Sequence, residues 1–143
     1  MRTVQATIVV DGAAVEAEQL WHDRSRWASW IDGFGYIAKV EGEWPLEGAR
    51  RMRQSREGEL ASETVTAYEA GRGQTLRVED ARVAGEQRVR FESDGVRTLI
   101  TLELEFDPKE RLAPARRWWL RRKLGQSMHR TLARFSYELA AER

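Results

Sequence analysis

The first residues of the chain alternate between apolar and polar side chains, which is the period of a strand with one buried face. The alternation runs from Val4 to Val10 and ends at Asp11-Gly12. Six further segments show strand-like patterns, and the short glycine-containing breaks between them favour hairpins. These segments are 34–40, 49–56, 60–68, 75–83, 87–93 and 96–106, with Ala84-Gly85-Glu86 as the break before the fifth. Hairpins predict one antiparallel sheet of about seven strands.

Helical spacing of apolar residues appears in two places. Between the first two strands it predicts two short helices, the first capped by Asp11 and the second by Asp23 or Ser25. After the last strand, Asp107-Pro108 has the residues that commonly start a helix, and Pro114 is expected to kink or restart it. An apolar stripe then continues to the C-terminal residues. The stripe consists of Leu120, Leu124, Met128, Leu132, Phe135 and Leu139.

A sheet with one apolar face needs a cover, and the C-terminal helix is the only long element that supplies one. The predicted fold class is therefore α+β: a curved antiparallel sheet around a long C-terminal helix, with two short helices after the first strand. The pattern shows no linker, so we predict one domain over residues 1–143. Because a curved sheet does not close tightly on one helix everywhere, we expect an apolar cavity between them.

Composition narrows the classes of function. The 143 residues contain no cysteine, which excludes disulfides, thiolate metal sites and a cysteine nucleophile. The formal net charge of +1 provides no global field for nucleic acid. No segment approaches the roughly 20 apolar residues of a membrane span, and no signal peptide is recognisable, so a cytoplasmic location is expected. His22, expected as a cation at a helix end, and His129 belong to no ligand cluster, so neither metal nor cofactor is expected.

Several short segments mark a particular fold rather than a chemistry. They are Asp11-Gly12 with residues 14–16, Leu20-Trp21 with Asp23, Arg26-Trp27-Ala28-Ser29-Trp30, Gly48, Glu63-Thr64-Val65, Tyr68-Glu69, Thr98 and the C-terminal stripe. In this order they resemble the START-like, or SRPBCC, superfamily with its helix-grip fold, and more narrowly its polyketide cyclase/dehydrase branch, over essentially the whole chain. The resemblance implies binding or transport of a lipid, polyketide or other small hydrophobic molecule, and in a minority of members cyclisation or dehydration.

The candidate ligand contacts lie on the predicted inner face of the sheet, near its mouth and on the helix stripe. They are Trp27, Trp30, Tyr36, Met52, Gln54, Glu63, Val78, Phe91, Leu102, Leu124 and Met128. Taken singly, each is also an ordinary core residue. Binding of a small hydrophobic ligand is the first functional hypothesis.

Glu63 and Tyr68 are the candidate catalytic residues of the second hypothesis, a cyclase/dehydrase-type enzyme, which the sequence does not favour over binding. A carboxylate at Glu63 in an apolar pocket would have a raised pKa and could transfer protons. The favoured alternative places Glu63 in solvent or in a salt bridge with a neighbouring arginine. Arg53 and Arg88 are out of phase with the inner face and are expected on the outside.

Residues 116–123 are strongly basic and include two adjacent tryptophans. Since neighbours lie about 100° apart around a helix, both rings cannot face the core. One hypothesis is a peripheral membrane contact, the second is a homodimer contact, and the third and favoured one is a solvated helix face whose rings pack on the sheet rim. The residues concerned are Arg117, Trp118, Trp119, Arg121 and Arg122. Nucleic acid is not expected, because the patch is short.

Overall fold

The computed structural model describes residues 2–142; Met1 and Arg143, the ends of the predicted domain, lie outside the described residues. The chain begins with β1 (Arg2–Asp11), α1 (Ala14–His22), a 3₁₀ turn (Arg24–Arg26) and α2 (Trp27–Trp30). The remaining strands are β2 (Phe34–Glu41), β3 (Arg50–Ser55), β4 (Leu60–Glu69), β5 (Gly73–Glu79), β6 (Val83–Ser93) and β7 (Arg97–Pro108). They are followed by the long helix α3 (Pro114–Ala141).

The strands form one antiparallel sheet in the order β1-β7-β6-β5-β4-β3-β2. From β2 to β7 each strand pairs with the next along the chain, as hairpin connections require. β1 pairs with β7, which leaves β1 and β2 at the two edges. The predicted α+β fold, with a seven-stranded antiparallel sheet, two short helices after the first strand and a long C-terminal helix, is confirmed.

The hydrophobic core lies between the inner face of the sheet and the three helices. Alternate residues of β7 from Thr98 to Phe106 are buried, which is the pattern of a strand with one face on a core. The apolar stripe of α3 is buried at Leu120 and again from Met128 to Leu139. Three aromatic rings hold α1, α2 and α3 together, with centroids 4.5–5.1 Å apart. They belong to Trp21, Trp30 and Phe135.

The turn between β5 and β6 lies four residues before its predicted position. β6 includes Ala84-Gly85-Glu86, and the chain turns instead at residues 80–82, where Asp80 accepts hydrogen bonds from the backbone N–H groups of Arg82 and Val83. Gly85 is needed inside the strand, because a Cβ there would lie 1.9 Å from the carbonyl oxygen of Glu105. This glycine therefore marks a close approach of two backbones and not a break.

Two predicted helix starts are also wrong. Helix α3 begins at Pro114, because Asp107-Pro108 still pairs with β6 as the end of β7. Asp11 belongs to β1, and α1 has Ala13 at its N-cap without a side-chain hydrogen bond. Asp23 caps the 3₁₀ turn and not α2, as its carboxylate accepts from the backbone N–H two residues later at 3.1 Å, whereas α2 has Arg26 at its N-cap without a side-chain hydrogen bond. Within residues 2–142, no helix has the length and apolar character to cross a membrane.

Candidate functional site

Strand β3 presents the opposite face from the one predicted. Arg51 is buried and Arg53 is directed to the same inner side, so Met52 and Gln54 between and after them lie on the outer side. The placement of Met52 and Gln54 in the interior, and of Arg53 on the exterior, was therefore wrong. The strand contains a single apolar residue, Met52, and placing that residue inside fixed the wrong phase. Arg88 does lie on the outer face, paired with Glu103.

Tyr36 also lies outside the interior, with 57% of its surface exposed. The pairing of β2 with β3 is irregular twice, between Phe34 and Tyr36 and between Ile37 and Lys39. These irregularities put Phe34 and Ile37 against the core in place of Tyr36. Strict alternation along β2 could not have predicted them, because a bulge changes the face of every later residue.

Two arginines and one glutamate form a buried ion cluster on the inner face of β3 and β4. Arg51 and Glu63 stand opposite each other in the register. The Nε–H groups of Arg51 and Arg53 donate to the same oxygen, Oε1 of Glu63, at 2.9 and 2.8 Å. We call Arg51, Arg53 and Glu63 the Arg-Glu-Arg cluster. The predicted salt bridge with a neighbouring arginine is present, but it lies inside the protein.

The charges of the cluster decide the protonation state of Glu63. Burial alone would raise the pKa of this carboxyl, but the charges and hydrogen bonds of Arg51 and Arg53 outweigh burial and lower its pKa to about 2. The raised pKa that an acid catalyst needs is therefore not found. Glu63 is an ionised carboxylate at neutral pH and a weak base.

Arg51 is held between two indole rings. Its guanidinium carbon lies 4.4 Å from the ring centroid of Trp27 and 4.6 Å from that of Trp44. Burial lowers the pKa of Arg51, while the ring faces and Glu63 stabilise its charge. Trp27 was expected near the cavity mouth, but it is fully buried and its indole N–H donates to the carbonyl oxygen of Trp21 at 2.9 Å. Trp27 therefore packs against the buried guanidinium of Arg51 and does not line the cavity.

A cavity of about 140 Å³ lies between the sheet and α3, beside the Arg-Glu-Arg cluster. Of the predicted ligand contacts, it brings together Trp30, Glu63, Val78, Leu102, Leu124 and Met128. Polar side chains complete the lining, among them Arg51, Arg53, Asp32, Gln87, Ser127 and Thr131. Phe91 is not among the lining residues; it is buried against Trp21, with ring centroids 6.0 Å apart.

The size and lining of the cavity limit what it can hold. Apolar cavities of about 150 Å³ accept benzene, whereas sites for drug-sized ligands measure roughly 300–1,000 Å³. The cavity therefore has room for about one aromatic ring. Its polar side is larger than the sequence predicts, because Arg51, Arg53 and Asp32 join the predicted Glu63.

Asp32, in the segment between α2 and β2, fastens one wall of the cavity to α3. Its carboxylate accepts hydrogen bonds from Ser127 at 2.7 Å, from Arg130 at 3.0 and 3.1 Å, and from Arg134 at 3.1 Å. Burial alone would raise the pKa of Asp32, but the hydrogen bonds from Arg130 and Ser127 and the arginine charges lower it. Sequence reasoning missed this anchor. The sequence did contain a sign of it, since Arg130 and Arg134 are four residues apart and so lie on one face of the helix.

Tyr68 is not placed beside Glu63 as a second catalytic group. Its hydroxyl donates to Glu18 of α1 at 2.9 Å, and Glu18 also accepts from the backbone N–H of Gly71 at 2.6 Å. Burial and the Glu18 carboxylate raise the pKa of Tyr68 to about 12. Tyr68 therefore anchors α1 to the β4–β5 hairpin and does not line the cavity.

His22 was expected as a cation at the end of α1, and the structure contradicts this. Burial, followed by the charge of Arg51, lowers the pKa of His22 to about 4, so the ring is neutral at pH 7. Among the described residues neither ring nitrogen has a hydrogen-bond partner. The ring packs edge-on against Tyr68, with centroids 5.8 Å apart.

The basic segment 116–123 forms the first part of α3. Trp118 and Trp119 adjoin the sheet rim, the first beside residues 3–5 of β1 and the second beside Pro108, but they remain 62% and 50% exposed. Cationic side chains do lie over the rings: the guanidinium carbon of Arg122 is 5.4 Å from the Trp118 centroid, and Nζ of Lys123 is 4.5 Å from the Trp119 centroid. The two rings are therefore available to a further partner.

Comparison with known proteins identifies the family. The model of the family described as polyketide cyclase/dehydrase and lipid transport matches residues 1–139, and the chain belongs to this family. The sequence matches none of the curated proteins with which it was compared. The SRPBCC resemblance found in the sequence is thereby confirmed.

Solved structures share the fold at low sequence identity. A conserved protein from Geobacillus kaustophilus has 16% identity and a TM-score of 0.78 over 98% of this chain and 96% of its own. A START superfamily protein from Mycobacterium smegmatis has 11% identity and a TM-score of 0.76 over 99% of both chains. Norcoclaurine synthase from Thalictrum flavum, solved with dopamine and hydroxybenzaldehyde, has 11% identity and a TM-score of 0.74 over 99% of this chain and 87% of its own. At these identities the likeness is one of fold.

Proposed function

We propose that the protein binds one small amphipathic molecule, with an apolar part about the size of one aromatic ring and an acidic group, in the cavity between the sheet and α3. The observation that carries this proposal is the Arg-Glu-Arg cluster in the wall of a cavity whose lining also includes a set of apolar side chains. A cavity used only for an apolar guest has no need of two arginines, whose desolvation is costly.

The charge balance of the wall favours an anion. The cluster has two guanidinium groups and one carboxylate, and Asp32 is already neutralised by Arg130 and Arg134. Within the cluster, the side chain of Arg53 is 23% exposed whereas that of Glu63 is 3% exposed. Arg53 is therefore the charged group with surface left for a ligand, and guanidinium groups bind carboxylates with a matched pair of donors.

The other acidic residues that line the cavity, Glu79 and Asp80, do not oppose this balance. Glu79 forms an ion pair with Lys109 at 2.8 Å. The carboxylate of Asp80 accepts two backbone hydrogen bonds in the β5–β6 turn. Both negative charges thus have partners of their own.

The apolar part of the cavity wall would hold the ring. Leu102, Leu124 and Met128 come from the sheet and from α3, and Trp30 closes the side next to α2. Burying a ring of this size contributes about 1.5–3 kcal/mol, and a hydrogen bond to a charged group contributes about 1.5–3 kcal/mol. Together these contributions reach about 3–6 kcal/mol before the cost of association, so we expect weak binding, with a dissociation constant in the millimolar range.

The comparisons support a ligand of this kind. The family description includes lipid transport and polyketide chemistry, which concern hydrophobic small molecules. Norcoclaurine synthase, which shares the fold, was solved with dopamine and hydroxybenzaldehyde, and each of these has one aromatic ring. A lipid or a multi-ring polyketide would need several times the volume of this cavity.

The proposal is tested by titration calorimetry with phenylacetate and with uncharged phenylacetamide as the matched probe. We expect phenylacetate to bind more tightly, and Arg53→Gln to weaken its binding about tenfold or more through loss of the charged hydrogen bond. Arg77→Gln, which removes an exposed arginine of β5, is the matched control and should leave binding unchanged. Leu124→Trp fills the cavity and should abolish binding. Equal affinity for both probes, or unchanged binding in Leu124→Trp, would contradict the proposal.

A cyclase/dehydrase activity is the second candidate, and one observation bears on it. Glu63 lines the cavity, as such an enzyme requires, but as an ionised carboxylate it has no proton to donate at neutral pH. Any catalysis would therefore use Glu63 to stabilise positive charge and not as a general acid. We therefore place binding first.

A further inference from the structure

The first part of α3 carries a concentrated positive charge. From Arg111 to Tyr137 the sequence contains seven arginines and Lys123 but no aspartate or glutamate. Arg130 and Arg134 are paired with Asp32. The other basic residues of α3 form no ion pair with the residues that the structure describes. They are Arg116, Arg117, Arg121, Arg122 and Lys123.

Exposed tryptophans lie within this charge. Trp118 and Trp119 lie about 100° apart around the helix axis, and Arg122, four residues after Trp118, falls between them on the exposed side. A flat surface approaching that side would meet both rings and Arg122 together. We call these two tryptophans and the five basic residues named above the Trp-Arg patch.

The Trp-Arg patch adjoins the part of the protein where the cavity has its edge. Trp119 and Leu120 line a groove of about 420 Å³ together with Leu112 of the β7–α3 connection and Arg82 of the β5–β6 turn. Asp80, two residues before Arg82 in the same turn, lines the ligand cavity. A partner bound to the Trp-Arg patch would therefore lie next to the cavity wall.

We propose that the Trp-Arg patch docks the protein on an anionic lipid bilayer, with the two indole rings at the level of the headgroups and the basic side chains on lipid phosphates and carboxylates. Tryptophan prefers the membrane–water interface, because its ring is apolar and its N–H is polar. Unpaired arginines next to such rings complement a negatively charged surface. The basic residues spread over the solvent side of the first turns of α3, and the acidic residue that shares a groove with Trp119 and Arg116 is Glu110, so the patch as a whole remains positive and complements a negative surface.

Docking would place the cavity edge at the bilayer, where a hydrophobic or amphipathic ligand partitions. This benefit rests on the proposed function, but docking does not, and vesicle binding is measured without any cavity ligand. Failure of one proposal therefore leaves the other standing.

The experiment is sedimentation with vesicles of phosphatidylcholine alone and with about 30% phosphatidylserine, using the full chain. We expect binding to the anionic vesicles at low salt and loss of most binding at about 0.5 M NaCl, since screening shortens the range of the charges. Arg121→Gln/Arg122→Gln should weaken binding by roughly fivefold for each cation removed. Trp118→Ala/Trp119→Ala should also weaken it, without changing the salt dependence.

Two matched controls distinguish the patch from a general surface effect. Tyr137→Ala removes an aromatic residue that is 79% exposed on the same helix but outside the patch. Arg56→Gln/Arg77→Gln removes two exposed cations elsewhere. Both should bind vesicles as the unaltered chain does. No binding to anionic vesicles at low salt, or equal losses in controls and patch variants, would overturn the proposal. So would a dimer that the tryptophan variant dissociates in light scattering while vesicles are not bound.

Discussion

Replacing Glu63 by glutamine tests the electrostatics of the interior most sharply. The substitution keeps the shape of the side chain and one oxygen acceptor, but it removes the negative charge between Arg51 and Arg53. Two guanidinium groups then remain in the interior without compensation. Removal of one partner from a buried ion pair commonly costs about 3–5 kcal/mol.

The pKa of Glu63 gives an independent value for the stability that its negative charge contributes. The carboxyl has a pKa of about 2 in the folded protein, against an ordinary value of 4.5 for a glutamate in water. At about 1.4 kcal/mol for each unit of pKa, the folded environment favours the ionised form by about 3 kcal/mol. Because the folded pKa is the lower one, this stability is fully present above about pH 4.5 and is lost as the pH falls toward 2.

The assay is urea denaturation followed by circular dichroism at pH 7 and at intervals down to pH 3. We expect Glu63→Gln to lower the free energy of unfolding at pH 7 by about 3 kcal/mol, equivalent to roughly 6–12 °C in melting temperature. Its stability should also fall less between pH 4.5 and 3 than that of the unaltered chain. Glu63→Gln/Arg51→Met should recover part of the loss, since one uncompensated charge is removed as well.

Glu103→Gln is the matched control, because Glu103 pairs with Arg88 on the outer face, where ion pairs contribute little. It should change the free energy of unfolding by less than about 1 kcal/mol. A Glu63→Gln variant as stable as Glu103→Gln would refute the conclusion that the Arg-Glu-Arg cluster is buried and coupled.

Three other substitutions test separate parts of the fold by the same denaturation assay. Asp32→Ala should lower the free energy of unfolding by about 2 kcal/mol, because it removes charged hydrogen bonds to α3, and a loss below about 0.5 kcal/mol would contradict the anchor. Gly85→Ala should lower the free energy of unfolding by about 1–3 kcal/mol, because the added Cβ clashes with the carbonyl oxygen of Glu105. An unchanged free energy of unfolding would contradict the register between β6 and β7. His22, with its pKa lowered to about 4, favours folding above its unfolded value of 6.5 and progressively less as the pH falls toward 4. His22→Phe should therefore flatten the dependence of stability on pH between 6.5 and 4, and an unchanged slope would contradict a buried neutral ring.

The fold could be predicted because its signals are local and repeated. The alternation of β7 and the stripe of α3 each extend over many residues, so an error at one position does not change the assignment. The boundaries that failed depend on contacts distant in sequence. The carbonyl of Glu105, for example, is what requires Gly85 inside β6.

The site could be predicted only in part, and strand phase is the reason. Glu63, Leu102 and Met128 were correctly predicted to line the cavity, because the apolar residues of their strands and helix recur at regular spacing. In β3 the one apolar residue, Met52, was predicted to face the core because of its hydrophobicity. In the structure Arg51 and Arg53 face inward instead, because both pair with Glu63. The stabilising partner, Glu63, stands on the neighbouring strand, and register between strands is not visible in either sequence segment alone.

The most direct measurement of the central claim is the set of intermolecular nuclear Overhauser effects from the ring protons of phenylacetate to the methyl groups of the protein. The proposed ligand site predicts contacts with Met128 and Leu124, which line the cavity, and their loss in Arg53→Gln at the same ligand concentration. Contacts confined to Leu112 in the outer groove, or no contacts with any methyl group at millimolar phenylacetate, would contradict it.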